Sequence, residues 1–278
     1  MAKFAYFGTP YVARDTLALL AARGFVPAVV VSSPDARKGR GMELTPSETS
    51  AYALERGLPL LRPERLDPTV VEEIRAYGCD YAIVVAYGKL FPKRLIDSFP
   101  QGVLNIHYSL LPRYRGASPV ESALLQGDET TGVTIQKMVK RMDAGDVIAQ
   151  KEVAVGAQET TRELRPRLIK EGAALLADVL PEFESGTLKG TPQDESLATH
   201  AGKIAKEDGL LDLSGDAKTN WNKYRAYAES PGTYFFAEKN GKKVRVKIRT
   251  AEYANGRFTP LRVVPEGKNE QDYASFVV

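Results

Sequence analysis

Gly102–Pro119, GVLNIHYSLLPRYRGASP, is the stretch from which the rest of the chain is read. Its first part, Gly102 to His107, is an apolar run entered through a glycine, the pattern of a buried strand. Side chains alternate along a strand, so Asn105 and His107 share one face. A primary amide and an imidazole near the C-terminal end of a core strand can aim donors into one small volume, as an oxyanion site requires. Taken alone, the same pair could equally be hydrogen-bonded core polars. The following residues weigh against that reading. Ser109-Leu110-Leu111-Pro112 makes a rigid turn, Arg113 and Arg115 flank Tyr114, and Gly116 precedes a helix start at Ser118-Pro119.

Outward from this strand, apolar runs alternate with helical patterns. Toward the N-terminus, Tyr81 to Ala86 is a second apolar strand, left through Tyr87-Gly88-Lys89-Leu90-Phe91-Pro92. Lys3 to Phe7, a helix from Tyr11 to Ala22 stopped by Gly24, and a strand from Pro27 to Ser32 make a first βαβ unit. Helices are expected over Ser47 to Arg56 and Pro68 to Tyr77, with a strand at Leu58 to Leu61. The pattern predicts an α/β fold with a Rossmann-like, mainly parallel sheet. Phe7-Gly8-Thr9-Pro10 lacks the G-x-G-x-x-G fingerprint, which argues against a nicotinamide enzyme. Ligands of open sheets bind at the carboxyl edge. Two proline-bearing loops, Tyr87–Pro92 and Ser109–Pro112, are expected to leave adjacent strands there.

Ser33 to Ser47 is long for a connection in such a fold, and long irregular loops tend to be functional. Arg37, Lys38 and Arg40 stand there among glycines, a basic finger suited to phosphates or, equally, a solvated surface loop. On the other side of the motif, Thr131 to Met138 and Asp146 to Val155 read as strands joined around Asp143. Glu159 to Ser185 reads as helical, broken or kinked at Pro166.

Residues 187–208 are polar and irregular and are taken as a linker between domains at 1–186 and 209–278, with His200 an exposed linker residue. Beyond it come a helix around Lys218 to Tyr227 and strands at Gly232 to Ala237, Lys243 to Arg249 and Thr259 to Val264. Within Lys243 to Arg249 the period of two puts Val244, Val246 and Ile248 on one face and four cations on the other. Such a face suits a row of phosphates, or is simply solvated and kept from pairing by its charge.

Composition narrows the classes. The 278 residues are 43% hydrophobic and 26% charged, an ordinary balance for a protein with a full core. One cysteine, Cys79, excludes a disulfide framework, and two histidines leave little for a transition-metal site, so no metal is expected. Met1-Ala2-Lys3 and the short strand after it lack a signal-peptide pattern, and a cytoplasmic, monomeric protein is expected. A net charge of +3 is mild, so any nucleic-acid contact must come from local clusters.

Asn105-x-His107-x-Ser109-Leu110-Leu111-Pro112-x-Tyr114-Arg115-Gly116 resembles the active-site signature of the folate-dependent formyltransferases. Met142-Asp143-Ala144-Gly145-Asp146 matches the family's second element downstream. The resemblance implies Asn105, His107 and Asp143 as catalytic residues, with Asp146 a weaker candidate for support, and 10-formyltetrahydrofolate as formyl donor. It implies a folate pocket lined by Tyr87, Gly88, Leu90 and Phe91, which together with Ser109, Leu110, Leu111 and Pro112 are the cofactor candidates. The Pro34-to-Ser47 segment resembles the insertion of the family member that acts on methionyl-tRNA, the initiator. The Lys203-to-Gly209 run resembles the family's interdomain junction, and the last domain its small OB-like barrel, here shortened. Arg37, Lys38, Arg40, Lys203, Lys206, Arg245 and Lys247 are then the tRNA candidates.

The chemistry fits these residue types independently. Formyl transfer to an amine requires a neutral amine, stabilisation of an oxyanion and an acceptor for one proton, with no covalent nucleophile. Asn105 and His107 would meet the oxyanion, and a neighbouring Asp143 carboxylate favours a cationic imidazole. Competing expectations are an amino sugar or water as formyl acceptor, or a non-catalytic protein that binds RNA or folate. The basic loop and the last domain argue against the first of these, and the three site residues together against the second.

Overall fold

The computed structural model describes residues 2–38, 41–239 and 241–277, without the side chains of Lys38 and Val277. Two compact units divide it. The first comprises residues 1–115, 132–153 and 166–199, and the second residues 116–131, 154–165 and 200–278. A division in chain order at 186 and 208 therefore differs from the packing, because two segments from within the first 186 residues belong to the second unit.

In chain order the elements as far as residue 184 begin with β1 (Phe4–Gly8), α1 (Tyr11–Ala21), β2 (Val29–Val31), β3 (Ala36–Lys38), β4 (Glu43–Thr45), α2 (Glu48–Glu55), β5 (Leu60–Leu61), α3 (Pro68–Arg75), β6 (Tyr81–Val85), α4 (Lys93–Ile96) and β7 (Gly102–His107). They continue with β8 (Arg115–Gly116), α5 (Pro119–Gln126), β9 (Thr130–Lys137), β10 (Val147–Ala154) and α6 (Thr161–Glu184). The sheet runs β10-β9-β7-β6-β1-β2-β5. The five strands from β7 to β5 are parallel, and β9 joins β7 antiparallel. Every residue of β1 and β6 is buried, as expected for parallel strands covered on both faces. From β1 the chain winds first to β2 and β5 and then back to β6 and β7, so strand order reverses between β1 and β6. That reversal opens a crevice at the carboxyl edge, where the loops after β6 and β7 emerge.

Local signals place the helices. Ser47 caps α2 by accepting from Ser50 N at 3.0 Å, and Asp67 caps α3 from Val70 N at 3.1 Å with Pro68 as the first helical residue. One side of the sheet packs Ala5, Phe7, Val29, Val31, Ala82, Val84 and Val103 with Leu95 and Phe99 into a continuous core. The Ser33-to-Ser47 connection, expected to be irregular, contains a hairpin: Ala36 pairs with Thr45, Arg37 with Leu44 and Lys38 with Glu43. Three-residue strands of mixed polarity carry no period long enough to be read from sequence. Pro166 does not break the helix assignment, since α6 runs through it, yet the division between the units falls there.

The second unit continues with β11 (His200–Ala201), α7 (Ala217–Ala226), β12 (Tyr234–Lys239), β13 (Lys242–Ala254), β14 (Arg257–Pro265), β15 (Gln271–Asp272) and α8 (Tyr273–Val277). Strands β12 to β15 form an antiparallel sheet in sequence order, and among the described residues no pairing closes it into a barrel. Leu211, Phe235, Val246, Ile248, Val263 and Phe276 make its core. Val244, Val246 and Ile248 do face inward, as the period of two predicts, and a register shift after Ile248 leaves Arg249 at an irregularity. β15 and α8 were not foreseen; α8 is short and contributes Phe276 to the core. Among the described residues no helix is long and apolar enough to cross a membrane.

Candidate active site

Asn105 and His107 lie in the last half of β7, Asn105 half-buried and His107 5% exposed. His107 Nε2 lies 2.8 Å from the carbonyl of Tyr114. A carbonyl can only accept, so Nε2 carries the hydrogen and Nδ1 is the nitrogen left for chemistry. Nδ1 stands 3.7 Å from Asp143 Oδ2, too far for a hydrogen bond and close enough for charge to act. A neutral His107 thus offers Nδ1 as an acceptor, and only the imidazolium can donate from it. Tyr114 adopts a φ of +60°, part of the turn that brings its carbonyl back to the ring.

The turn after β7 is tied to the sheet. Ser109 Oγ donates to Arg113 O at 2.6 Å, and Arg113 N donates to Leu110 O at 3.1 Å. Thr134, opposite His107 in the β7–β9 register, donates to Ser109 O at 2.6 Å and accepts from Leu111 N at 3.1 Å. Gln150 Nε2 donates to Leu111 O at 2.7 Å. The polar groups of Ser109 to Leu111 are therefore largely spent on holding the turn, and Pro112 O accepts from Thr199 N.

Asp143 is 14% exposed at its side chain and sits in the left-handed region at φ +49°. Three groups hold it: Gln136 and Gln193, which the sequence reading did not single out, and Arg115, which it read only as part of the motif. Gln136, paired with Asn105 across β7 and β9 and 1% exposed, donates from Nε2 to Asp143 Oδ1 at 2.9 Å. Gln193 Nε2 donates to the carbonyls of Asp143 and Gly145 at 2.9 and 2.7 Å. Arg115, 3% exposed, donates to Gln193 Oε1 from Nε and Nη2 at 3.0 and 2.7 Å and pairs with Glu195. Gly145 lies so close to the strand that a Cβ would fall 1.6 Å from Lys137 O. A signal for Gln136 was present, since an amide at an inward position of an apolar strand needs a reason. Gln193 had none, because the polar segment around it carries no pattern. Asp146 is exposed and does not join this cluster; its carbonyl accepts from Lys137 N in the sheet.

Beside Asp143 opens a cleft lined by Lys89, Leu90 and Phe91 from the loop after β6, by Gln136, and by Met138, Val139, Lys140 and Met142. Leu90, Val139 and Met142 are 83%, 43% and 58% exposed, an apolar rim of the kind that ligands cover. Gln136 Oε1 is buried without a partner next to this space. Lys89 Nζ donates to Pro63 O and Glu64 O at 2.5 and 2.8 Å and so anchors the loop, and its pKa is lowered by burial. Of the cofactor candidates only Leu90 and Phe91 line the cleft. Tyr87 is core, edge-on to Phe7 and Phe91, its hydroxyl pushed up to about 12 by burial, while its carbonyl accepts from Thr9 Oγ1. Gly88 has a φ of +80°, which allows the loop to turn away from the strand.

The tRNA candidates are dispersed. Arg37 is exposed on β3, where its Nη1 donates to Met42 O at 3.2 Å. Arg40 and the side chain of Lys38 lie outside the described residues. Lys203 and Lys206 are exposed in the second unit, and Arg245 and Lys247 stand on the outer face of β13 in the same unit.

Comparison with known proteins gives this geometry a family. The model of the Formyl transferase family matches residues 2–180, and that of the Formyl transferase C-terminal domain matches residues 203–271. The N-formyltransferase from Helicobacter canadensis, solved with folinic acid and dTDP-3-aminofucose, superposes with a TM-score of 0.66 at 17% identity, covering 98% of this chain and all of its own. HypX from Aquifex aeolicus in complex with tetrahydrofolic acid gives a TM-score of 0.64 at 16% identity over 99% of this chain and 47% of its own. Both share the fold, and the two matched family models define a formyltransferase. The methionyl-tRNA formyltransferase of Nitratidesulfovibrio vulgaris is 39% identical over 88% of this chain and 76% of its own length. That of Methylobacterium sp. is 36% identical over 99% and 95%. The chain belongs to the methionyl-tRNA formyltransferase family.

Proposed function

We propose that this chain moves a formyl group from 10-formyltetrahydrofolate to the amino group of methionyl-tRNA, with Asn105, His107 and Asp143 as the reacting constellation. The observation that carries the reading is the convergence of these three side chains, two from a strand end and one from a left-handed turn, beside an apolar-rimmed cleft. The cleft fits a flat heterocycle: Leu90, Phe91 and Met142 offer apolar walls, while Gln136 Oε1 is a buried acceptor without a partner. Leu90 and Phe91, with the 138–142 segment, would hold the donor's ring. When bound, the donor supplies the formyl carbon that the amine attacks.

The remaining chemistry belongs to the chain. Asn105 donates from its amide to the charge that develops on the formyl oxygen. His107, fixed through Nε2 by the Tyr114 carbonyl, donates from Nδ1 as the imidazolium. Asp143 would balance that cation from 3.7 Å and take the proton released by the attacking amine, directly or through water; as the bond from the formyl carbon to the folate nitrogen breaks, the same proton passes on to that nitrogen, which leaves as a neutral amine. Gln136 holds the carboxylate's other oxygen, so Oδ2 is the atom turned toward His107. Arg37, Lys38, Arg40, Lys203, Lys206, Arg245 and Lys247 would meet RNA phosphates. The enzyme would work in the cytoplasm, where initiator tRNA is used.

The test is transfer of a labelled formyl group from the folate donor to charged initiator tRNA, run beside a free amino sugar. Labelling of the tRNA alone is expected. Labelling of the sugar, or of neither, would overturn the choice of acceptor.

A further inference from the structure

Residues 191–200 bury no side chain; each is exposed or half-buried. A stretch of this kind gains little from the hydrophobic effect, and what holds it is polar. At one end, Gln193 Nε2 donates to the carbonyls of Asp143 and Gly145, while Gln193 Oε1 accepts twice from the buried Arg115. Glu195 also closes on Arg115, at 3.0 and 2.9 Å, and pairs with Arg141, two residues before Asp143. The Arg115 bonds, with the charge of both arginines, hold the Glu195 carboxyl below its usual range. Asp194 Oδ1 accepts from Ser196 N and Oγ at 2.9 and 2.6 Å and caps the short helical turn Glu195–Leu197. At the other end, Thr199 Oγ1 accepts from Tyr114 N at 2.8 Å, Thr199 O accepts from Arg115 N at 2.9 Å, and Thr199 N donates to Pro112 O at 3.2 Å.

The residues gripped at the two ends are the strained ones. Tyr114 at φ +60° and Asp143 at φ +49° both occupy the left-handed region, which a residue with a side chain keeps only where its surroundings hold it. Thr199 takes the backbone N–H of the first, and Gln193 takes the backbone carbonyl of the second. Each grip reaches the chemistry through one further step. The Tyr114 carbonyl lies 2.8 Å from His107 Nε2, and the Asp143 turn places Oδ2 3.7 Å from His107 Nδ1. A tie that merely fastened an exposed loop would serve equally well on any surface group. Both ends of this one fall on the backbone of the site.

We propose that residues 193–199 are a positioning clasp for formyl transfer, in which Thr199 fixes the Tyr114 carbonyl that orients His107 while Gln193 fixes the turn that carries Asp143. One stretch of chain then sets the spacing of imidazole and carboxylate from both sides. Thr199 and Gln193 are positioning residues, since each acts through a backbone bond of its neighbour. The proposal rests on the reading of His107 and Asp143 as the reacting groups.

The experiment pairs steady-state kinetics with histidine NMR of the full chain. The sequence has two histidines and His200 is exposed, so a slowly exchanging imidazole N–H belongs to the buried His107 and should vanish in His107→Ala. Thr199→Val keeps the branched shape and removes the hydroxyl. It should lower kcat about tenfold with the KM for folate and for tRNA nearly unchanged, and it should shift that resonance, because Tyr114 is no longer held. Thr199→Ala should match it, and Thr199→Ser should restore both kcat and the resonance. Gln193→Met should lower kcat to a similar degree and leave the His107 resonance in place, since it acts on the Asp143 side. Parental kcat in Thr199→Val, a slowed variant whose resonance has not moved, or a Thr199→Ser no faster than Thr199→Val would each overturn the proposal. Parental turnover in His107→Ala would instead strike the reading of the site, whatever Thr199→Val does to the resonance.

Discussion

Around Asp143 and on β13 the same kinds of side chain are used in opposite ways. Arg115 is buried and pairs with both Gln193 and Glu195, and Gln193 in turn secures the Asp143 and Gly145 carbonyls. Arg245, on the open cleft of the second unit, stacks on Tyr234 and has no carboxylate partner among the described residues. One arginine is part of a scaffold whose hydrogen bonds are satisfied within the fold; the other lies against an aromatic ring with its Nε unpartnered. The contrast teaches that a cation's role follows from its partners, since the same guanidinium is a fixed strut in one place and lacks a carboxylate in the other.

The largest effect should come from the end of β7. His107→Ala and Asp143→Ala are each expected to lower turnover by about a hundredfold or more with the fold intact, and Asn105→Ala to behave alike. The three losses should not add, because the residues act as a unit. Steady-state kinetics at saturating folate and tRNA, with circular dichroism as the control for folding, would expose a wrong assignment through near-parental turnover in any of them.

A smaller loss should follow from the scaffold. Gln136→Met removes the hydrogen bond to Asp143 Oδ1 while keeping the volume, and about a tenfold fall in turnover is expected with a smaller change in the KM for tRNA. If instead only folding stability fell, Gln136 would be a core residue and not a positioning one. Gln193→Ala should act in the same sense through the carbonyls of Asp143 and Gly145, and should lower the melting temperature as well.

The open face should answer to salt rather than to turnover. Replacing Arg245 and Lys247 together is expected to flatten the dependence of log Kd for tRNA on log salt by up to about two units. An unchanged slope would confine β13 to a structural part and move the RNA contacts elsewhere. The mildest change belongs to Arg37→Ala. This exposed arginine already donates to Met42 O within its own hairpin, so its loss should reduce tRNA affinity by about threefold at most in a filter-binding assay.

Much of the first unit was legible in the sequence. Unbroken apolar strands at Phe4–Gly8 and Tyr81–Val85, glycine stops such as Gly24, and helix starts near Ser47 and at Pro68 are local features, and local features survive in one dimension. The shared face of Asn105 and His107 followed from the strand period alone, and Asp143 from the resemblance of its segment to the family's second motif. The hairpin at 36–45 and the elements at 271–277 were not legible, because segments of two to five residues have no period to display.

What the sequence by itself determined was therefore the α/β class, the strand that carries the site, the basic character of β13 and the inward face of its valines. Tertiary structure alone decided three further matters. It decided which nitrogen of His107 is free, because the carbonyl of Tyr114 occupies the other. It decided that Gln136 and Gln193, which are 57 positions apart in number, both secure Asp143. It decided too that residues 116–131 and 154–165 pack with the last 79 residues rather than with their chain neighbours. The physical reason is common to all three: a hydrogen bond or a buried contact depends on distance in space, and the chain records only order along itself.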